Sequence, residues 1–210
     1  LENIGRAVDL FENLSSMIKV DQELRAYVAQ RAIGSGIQNV LFADIRTAED
    51  AEECVSAVRA DTPQTGGRHG SADRRFASLI LEAGSPAYVQ ALEDVVVALM
   101  IEKDLAVKNL EDILAVNGVD MVNFGPNDYA MSIGKSDGHN DPEVKKVEEY
   151  VIRTALEMGV TPRAEVSTPD QAKRYADMGV RHFSIGTDLQ ILYDWWRDNG
   201  AALREVISGA

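Results

Sequence analysis

The chain contains 210 residues, 45% of them apolar and 26% charged, a composition that suits one globular α/β domain with a hydrophobic core. Its formal net charge of −13 argues against nucleic acid as a partner, because phosphates would be repelled, although a metal ion could still attract an anionic substrate. The single cysteine, Cys54, excludes an internal disulfide, and the lack of a leader-like start or of an apolar run of about 18 residues predicts a cytoplasmic protein without a membrane span.

Along the chain, short apolar segments alternate with longer amphipathic ones, beginning with a helical pattern at the N-terminus. Three predicted helices stop at a glycine that is followed at once by a valine, at Gly118, Gly159 and Gly179. Glycine accepts the left-handed conformation that ends a helix, and the valine then opens a strand. This repeated order predicts βαβ units and a parallel sheet. The predicted strands are residues 16–20, 40–44, 95–102, 119–125, 160–166 and 182–186.

Periodicity alone does not distinguish a closed barrel from an open sheet. The continuous apolar run at 95–101 is typical of a parallel strand that is buried on both faces, which suits a closed barrel or an open doubly wound sheet. No glycine-rich nucleotide-binding loop follows a strand, which disfavours the nucleotide-binding versions of the open sheet. A barrel needs eight strands, so a barrel reading places two strands before the first residue. Residues 61–94 contain no convincing strand; they are predicted to be a loop at 62–68 and a helix at 78–92.

Two carboxylates at predicted strand ends are the strongest chemical signal. Glu102 closes an apolar strand, and Asp128 follows the next strand in Gly125-Pro126-Asn127-Asp128. Consecutive parallel strands end at the same edge, where two carboxylates could share one Mg²⁺ or Mn²⁺ ion. The glycine would allow close approach of a ligand. Spacing alone leaves a second interpretation open, in which both acids cap or precede helices and the tetrapeptide is a plain turn.

Other polar residues are weaker candidates. Lys19 ends the first strand and is either a cation at the rim or a simple strand-end charge, and Arg68 is either a substrate contact or a solvated arginine. His69 and His139 are interpreted as loop residues, and His182 as a structural residue at the start of a strand.

The last segment, 187–210, carries adjacent tryptophans, Trp195 and Trp196, that cannot face one side of a helix. One is predicted to meet another subunit; the alternative is that both pack on the chain itself.

At these residues the chain resembles the class II, metal-dependent pyruvate aldolases of the hydroxy-oxo-heptanedioate and dehydro-deoxy-glucarate aldolase type. Macrophomate synthase belongs to this group, and citrate lyase β subunits are distant relatives. The resemblance rests chiefly on Ile101-Glu102 followed by Gly125-Pro126-Asn127-Asp128, in this order and spacing, and extends from Leu1 to the C-terminus.

The resemblance implies an α/β fold, the (β/α)8 TIM barrel, as one domain over residues 1–210 that lacks its first two strands. It implies a trimer or hexamer in which the segment 187–210 is swapped between subunits. Glu102 and Asp128 would bind Mg²⁺ or Mn²⁺, with Co²⁺ as another ion that the site would accept. The backbone at Gly125, Pro126 and Asn127 would hold the carboxylate of pyruvate.

The resemblance also implies roles and departures. Lys19 stands where the family has a pyruvate-binding arginine, and a lysine keeps the charge without the bidentate fork. Met100 stands where the family has a glutamine, so a hydrogen-bond donor is lost. The catalytic histidine of the family is expected upstream of Leu1.

The predicted function is a carbon–carbon lyase that cleaves a 4-hydroxy-2-oxo acid reversibly to pyruvate and an aldehyde. In this reaction a divalent ion stabilises the enolate that forms when the C3–C4 bond breaks. The expected partners are a small 2-oxo acid, an aldehyde and further copies of the chain, with neither nucleic acid nor membrane. The alternatives are an acyl-CoA lyase of the citrate lyase β type and a non-catalytic paralogue.

Overall fold

The computed structural model describes residues 1–71, 80–135 and 138–209. They form two compact units, Leu1–Pro162 and Arg163–Ala210. The part of the chain that is described has no helix long and apolar enough to cross a membrane.

All six predicted strands are present, each within one or two residues of its predicted bounds. They form one parallel sheet in chain order, from β1 to β6. The strands are β1 (Met17–Val20), β2 (Asn39–Phe42), β3 (Val97–Ile101), β4 (Met121–Phe124), β5 (Thr161–Val166) and β6 (His182–Ile185).

The prediction of a (β/α)8 TIM barrel is wrong for this chain. The described residues form six parallel strands rather than eight, and the sheet order begins at β1 and ends at β6. A barrel closes only when its last strand hydrogen-bonds to its first, and here β1 pairs with β2 and β6 with β5. The alternation of strands and helices predicted the βα unit correctly, but it does not indicate whether the sheet closes into a barrel.

The first unit contains eight α-helices among its described residues, and the second contains two. A short 3₁₀ helix, Gly138–Asn140, precedes α8. The helices are α1 (Glu2–Val8), α2 (Arg25–Gly34), α3 (Ala48–Val58), α4 (Pro86–Glu93), α5 (Asp104–Lys108), α6 (Leu110–Leu114), α7 (Pro126–Ser132), α8 (Pro142–Glu157), α9 (Pro169–Met178) and α10 (Asp188–Ser208).

Local side-chain chemistry explains several helix starts. The hydroxyl of Thr47 accepts the N–H of Asp50, whose carboxylate in turn accepts the N–H of Thr47, so a reciprocal capping box opens α3. Ser85 caps α4, with Pro86 at its first position. Helix α4 therefore begins later than the predicted helix over 78–92, of which residues 78 and 79 lie outside the described part of the chain. Gly179 ends α9 with a φ of +107°, as its position before a strand predicted.

Strand β3 is the centre of the core in the first unit, and all five of its residues are buried. This burial confirms the interpretation of the apolar run as a strand covered on both faces. Its register places Ile101 beside Phe124 of β4 and Leu99 beside Phe42 of β2. The carboxyl ends of β2, β3 and β4 are therefore close together, and the residues that follow them share one edge of the sheet.

Candidate metal centre

Three carboxylates follow neighbouring strands of the first unit. Asp44 comes two residues after β2, Glu102 comes directly after β3, and Asp128 lies in the first turn of α7, after β4. The sheet register brings these strand ends side by side, so the two acids singled out from the sequence lie at the same edge, as expected.

Glu102 is the most unusual of the three, because it is charged and only 2% exposed. Its Oε1 accepts the backbone N–H of Asp44 at 2.8 Å. Its Oε2 is buried and has no hydrogen-bond partner among the described residues. Burial raises the pKa of Glu102; the Asp44 N–H and the charge of Lys19 oppose this rise, and the nearby Asp128 carboxylate adds to it.

Gly125 allows the backbone of the β4–α7 connection to approach Glu102. A Cβ at position 125 would lie 2.8 Å from both Cβ and Oε2 of Glu102, too close for any side chain to fit without a shift. The methyl carbon of Met100 would be 3.3 Å from the same Cβ, so Met100 packs against this approach. Glycine is thus required here by space and not by its φ of −104°.

The donor set fits a hard divalent cation. A buried carboxylate oxygen without a partner is costly, and a cation at that oxygen would remove the cost. The described residues bring together no group of three or more His, Cys, Asp or Glu side chains that could hold a metal. Glu102 and Asp128 are the two residues that could serve as protein ligands, and two carboxylates are the usual protein share of a Mg²⁺ or Mn²⁺ site that water and substrate oxygens complete.

The capping alternative is not what the structure shows for Asp128. The N-cap of α7 is Gly125, which makes no side-chain cap, and Asp128 is three residues further on. Its carboxylate lies 3.7 Å from the ammonium of Lys103. The N-cap of α5 is Lys103, so Glu102 precedes the helix and does not cap it.

Two charged residues at this edge were missed by the sequence analysis. Lys103 Nζ lies 3.2 Å from Asp44 Oδ1 as well as 3.7 Å from Asp128 Oδ1. Asp44 has a φ of +55°, which is uncommon for a residue other than glycine. The rule that identified Glu102, a charged residue at the end of an apolar strand, applies to Asp44 as well. Lys103 has no such signal beyond its place next to Glu102.

The remaining sequence candidates lie in different places. Pro126 and Asn127 form the first turn of α7 beside Gly125. Arg68 lies away from the strand ends; its guanidinium contacts Ser56 Oγ at 3.1 Å and Glu53 Oε1 at 3.8 Å. His69 is buried, and its ring meets that of Tyr88 edge to face.

His182 opens β6 in the second unit, as predicted. The side chain of His139 lies outside the described part of the structure.

The chain is similar in sequence to characterised aldolases. The chain is 34% identical over 176 residues to the hydroxypyruvate/pyruvate aldolase of Cupriavidus necator, covering 83% of this chain and 64% of the relative. It is also 34% identical over 159 residues to the 4-hydroxy-2-oxo-heptane-1,7-dioate aldolase of Escherichia coli, covering 75% of this chain and 59% of the relative. The chain thus spans less than two thirds of the length of these curated relatives.

A solved structure and a family model extend the comparison. The crystal structure of the HpcH/HpaI aldolase from Desulfitobacterium hafniense matches with a TM-score of 0.83 at 22% identity, covering 96% of this chain and 78% of that one, which shows a shared fold. The family model described as HpcH/HpaI aldolase/citrate lyase matches residues 7–194. With nine tenths of its length matched by that model, the chain belongs to the HpcH/HpaI aldolase/citrate lyase family.

Proposed function

We propose that this chain carries the metal site of a carbon–carbon lyase that cleaves a 4-hydroxy-2-oxo acid reversibly to pyruvate and an aldehyde. The observation that carries the proposal is the buried Glu102 carboxylate, with one oxygen held by a backbone N–H and the other without a hydrogen-bond partner in the described part of the chain. Members of the family generally depend on a divalent metal ion. Mg²⁺ or Mn²⁺ suits the oxygen ligands Glu102 and Asp128, and Co²⁺ would also be accepted.

The reaction moves an electron pair and a proton. The 4-hydroxyl loses its proton, the C3–C4 bond breaks, C4 becomes the aldehyde carbon, and C3 keeps the electron pair until a proton is returned to it. The chemistry that a divalent ion supplies when bound is stabilisation of negative charge on a ketone oxygen. Glu102 is held for this task in one orientation, because its Oε1 is fixed by the Asp44 N–H.

The substrate carboxylate would lie at the start of α7. Gly125 brings the backbone close to Glu102, and Pro126 and Asn127 continue into the first helical turn, where peptide dipoles favour an anion. Lys19, whose charge acts on Glu102 across the strand ends, would add attraction for the same carboxylate. Met100 is 6% exposed and would supply an apolar wall.

The relatives support an aldolase over an acyl-CoA lyase. The two described above, each 34% identical to this chain, are named for a hydroxypyruvate/pyruvate aldolase and a hydroxy-oxo-heptanedioate aldolase.

The proposed activity can be tested without knowing the aldehyde. Deuterium from D₂O should enter the methyl group of pyruvate when Mn²⁺ or Mg²⁺ is present, and NMR should show that a chelator stops the exchange. E102Q and D128N should each lower the exchange rate at least about a hundredfold while circular dichroism stays unchanged. A chelator-insensitive exchange, or a full rate in either variant, would show that the site assignment is wrong.

We also propose that the chain assembles with copies of itself through α10. None of the 21 residues of this helix is buried, and its exposed apolar residues include Leu192, Trp195, Trp196 and Leu203. Several large apolar side chains exposed on one helix are typical of an interface. Light scattering should report an oligomer for the chain and a smaller species for the W195E/W196E variant; an unchanged mass would reject the proposal.

A further inference from the structure

A lysine ammonium lies between two of the carboxylates at the candidate metal centre. Lys103 Nζ is 3.2 Å from Asp44 Oδ1 and 3.7 Å from Asp128 Oδ1, and the Lys103 side chain is only 23% exposed. One of these carboxylates, Asp128, is a proposed metal ligand. A divalent ion at Asp128 and the ammonium of Lys103 would therefore be two cations that share one acceptor, and they would repel each other.

Asp44 offers the ammonium a second acceptor. Its Oδ1 is closer to Lys103 Nζ than Asp128 is, and the Arg46 guanidinium also approaches that oxygen, at 3.6 Å. Arg46 is 45% exposed and can turn into solvent, whereas Lys103 is more enclosed. The Asp44 carboxylate is thus the nearer of the two acceptors, at 3.2 Å from Lys103 Nζ against 3.7 Å for Asp128, and it draws the ammonium towards itself.

The backbone of Asp44 has a related task. Its φ of +55° is uncommon for a residue other than glycine, and its N–H donates to Glu102 Oε1 at 2.8 Å. One residue therefore fixes the buried glutamate through its backbone and the competing ammonium through its side chain.

We propose that Lys103 is a built-in cation that competes with the divalent ion for Asp128, and that Asp44 is the positioning residue that holds Lys103 away from it. The proposal rests on the proposed metal site. In this proposal Lys103 lowers the affinity for the metal ion and Asp44 raises it, although neither side chain binds the ion.

The test is a double-mutant cycle on Mn²⁺ affinity, measured by electron paramagnetic resonance of free Mn²⁺ and by calorimetry in the absence of substrate. K103M should raise the affinity about tenfold, because a repelling charge is removed while the side-chain volume is kept. D44N should lower the affinity, because Lys103 then pairs with Asp128 alone. The double variant D44N/K103M should bind as tightly as K103M, since Asp44 acts through Lys103.

Two control variants separate charge from packing. K103R keeps the charge and should leave the affinity within about twofold of the wild type. K108M removes a lysine that pairs with Asp104 instead of the site carboxylates, and should change the affinity far less than K103M does. Thermal melts confirm that each variant folds.

The outcomes are distinct. An unchanged or lower affinity in K103M would overturn the competition. An equal loss from D44N in the wild-type and K103M backgrounds would show that Asp44 acts on the ion directly, which overturns its positioning role. Failure of the wild type to bind Mn²⁺, or binding that E102Q leaves intact, would instead overturn the metal site itself.

Discussion

The buried charged residues at the two edges of the sheet in the first unit differ in how completely they are hydrogen-bonded. At the amino edge, the Arg59 guanidinium is 7% exposed and donates hydrogen bonds to the carbonyls of Leu92, Val95 and Gly118, and it also pairs with Asp120. At the carboxyl edge, Glu102 is 2% exposed and one of its oxygens has no partner among the described residues.

We interpret Arg59 as a structural group and Glu102 as the proposed metal ligand. A buried charge that is fully hydrogen-bonded contributes to folding, and its loss leaves several acceptors unsatisfied. A buried carboxylate with an unpaired oxygen destabilises the folded chain. A ligand that binds to that oxygen removes this destabilisation. In parallel α/β sheets the carboxyl edge is also where sites are found.

The largest expected effect is at the amino edge. R59M should lower the free energy of unfolding by about 3 kcal/mol, because three carbonyls and the Asp120 carboxylate each lose one hydrogen-bond donor. Urea denaturation measures this loss. R68M removes an arginine that is 52% exposed and should cost less than about 1 kcal/mol. If R59M and R68M lost the same amount of stability, the buried arginine would be no more important for folding than the exposed one.

A smaller effect is expected where the backbone approaches Glu102. G125A should lower the free energy of unfolding by about 1–3 kcal/mol, because the added Cβ meets Glu102 at 2.8 Å. The same clash should displace the Glu102 carboxylate and weaken Mn²⁺ binding. G70A is the matched control, because a Cβ there meets no atom within 4 Å. A G125A variant with the stability and the Mn²⁺ affinity of the wild type would contradict the close approach.

For a substitution of Glu102 itself, the change in the free energy of unfolding should have the opposite sign. In a chelator, E102Q should raise the free energy of unfolding by about 1 kcal/mol, because a neutral amide is less costly to bury than a carboxylate with an unused oxygen. Urea denaturation of metal-free protein gives the value, and E53Q, at a carboxylate that is 44% exposed, is the control. A loss of stability comparable with that of R59M would mean that Glu102 is a structural residue.

The smallest effect is expected at Cys54, a third buried group of the first unit. Burial raises the pKa of this thiol to about 12, although the Arg25 guanidinium lies 3.5 Å from Sγ and opposes the rise. At pH 8 almost none of the thiol is ionised, so a disulfide reagent should label the folded protein negligibly and the unfolded protein at once. Rapid labelling of the folded protein would show that Cys54 is neither buried nor held as a thiol.

Local pattern was sufficient for much of the fold. The six strands could be predicted because each is a short apolar run between a helix stop and a polar turn, and both signals lie within a few residues of the strand. The capping box at Thr47 and the glycine after α9 are local in the same sense. The number of strands that a sheet needs for closure is not local, and the barrel prediction failed there.

The same distinction between local and long-range information applies to the candidate site. Glu102 and Asp128 could be predicted because charged residues that follow apolar strands gather at the carboxyl edge of a parallel sheet, although Glu102 stays buried there. Asp44 meets that criterion too, yet its importance depends on an N–H that reaches Glu102 across 58 positions of sequence. The Lys103 ammonium joins carboxylates from two other strand ends, which no spacing along the chain could indicate.

The sequence by itself determined the βα units, the direction of the strands and the two acids at their ends, because strand burial and helix stops are set by neighbours along the chain. Only the tertiary structure decided that six strands pair in an open order, that Gly125 lies against Glu102, and that Asp44 and Lys103 share the site. Those features depend on register and side-chain packing between segments far apart in sequence, where differences of a few tenths of an ångström determine which oxygen has a partner and which has none.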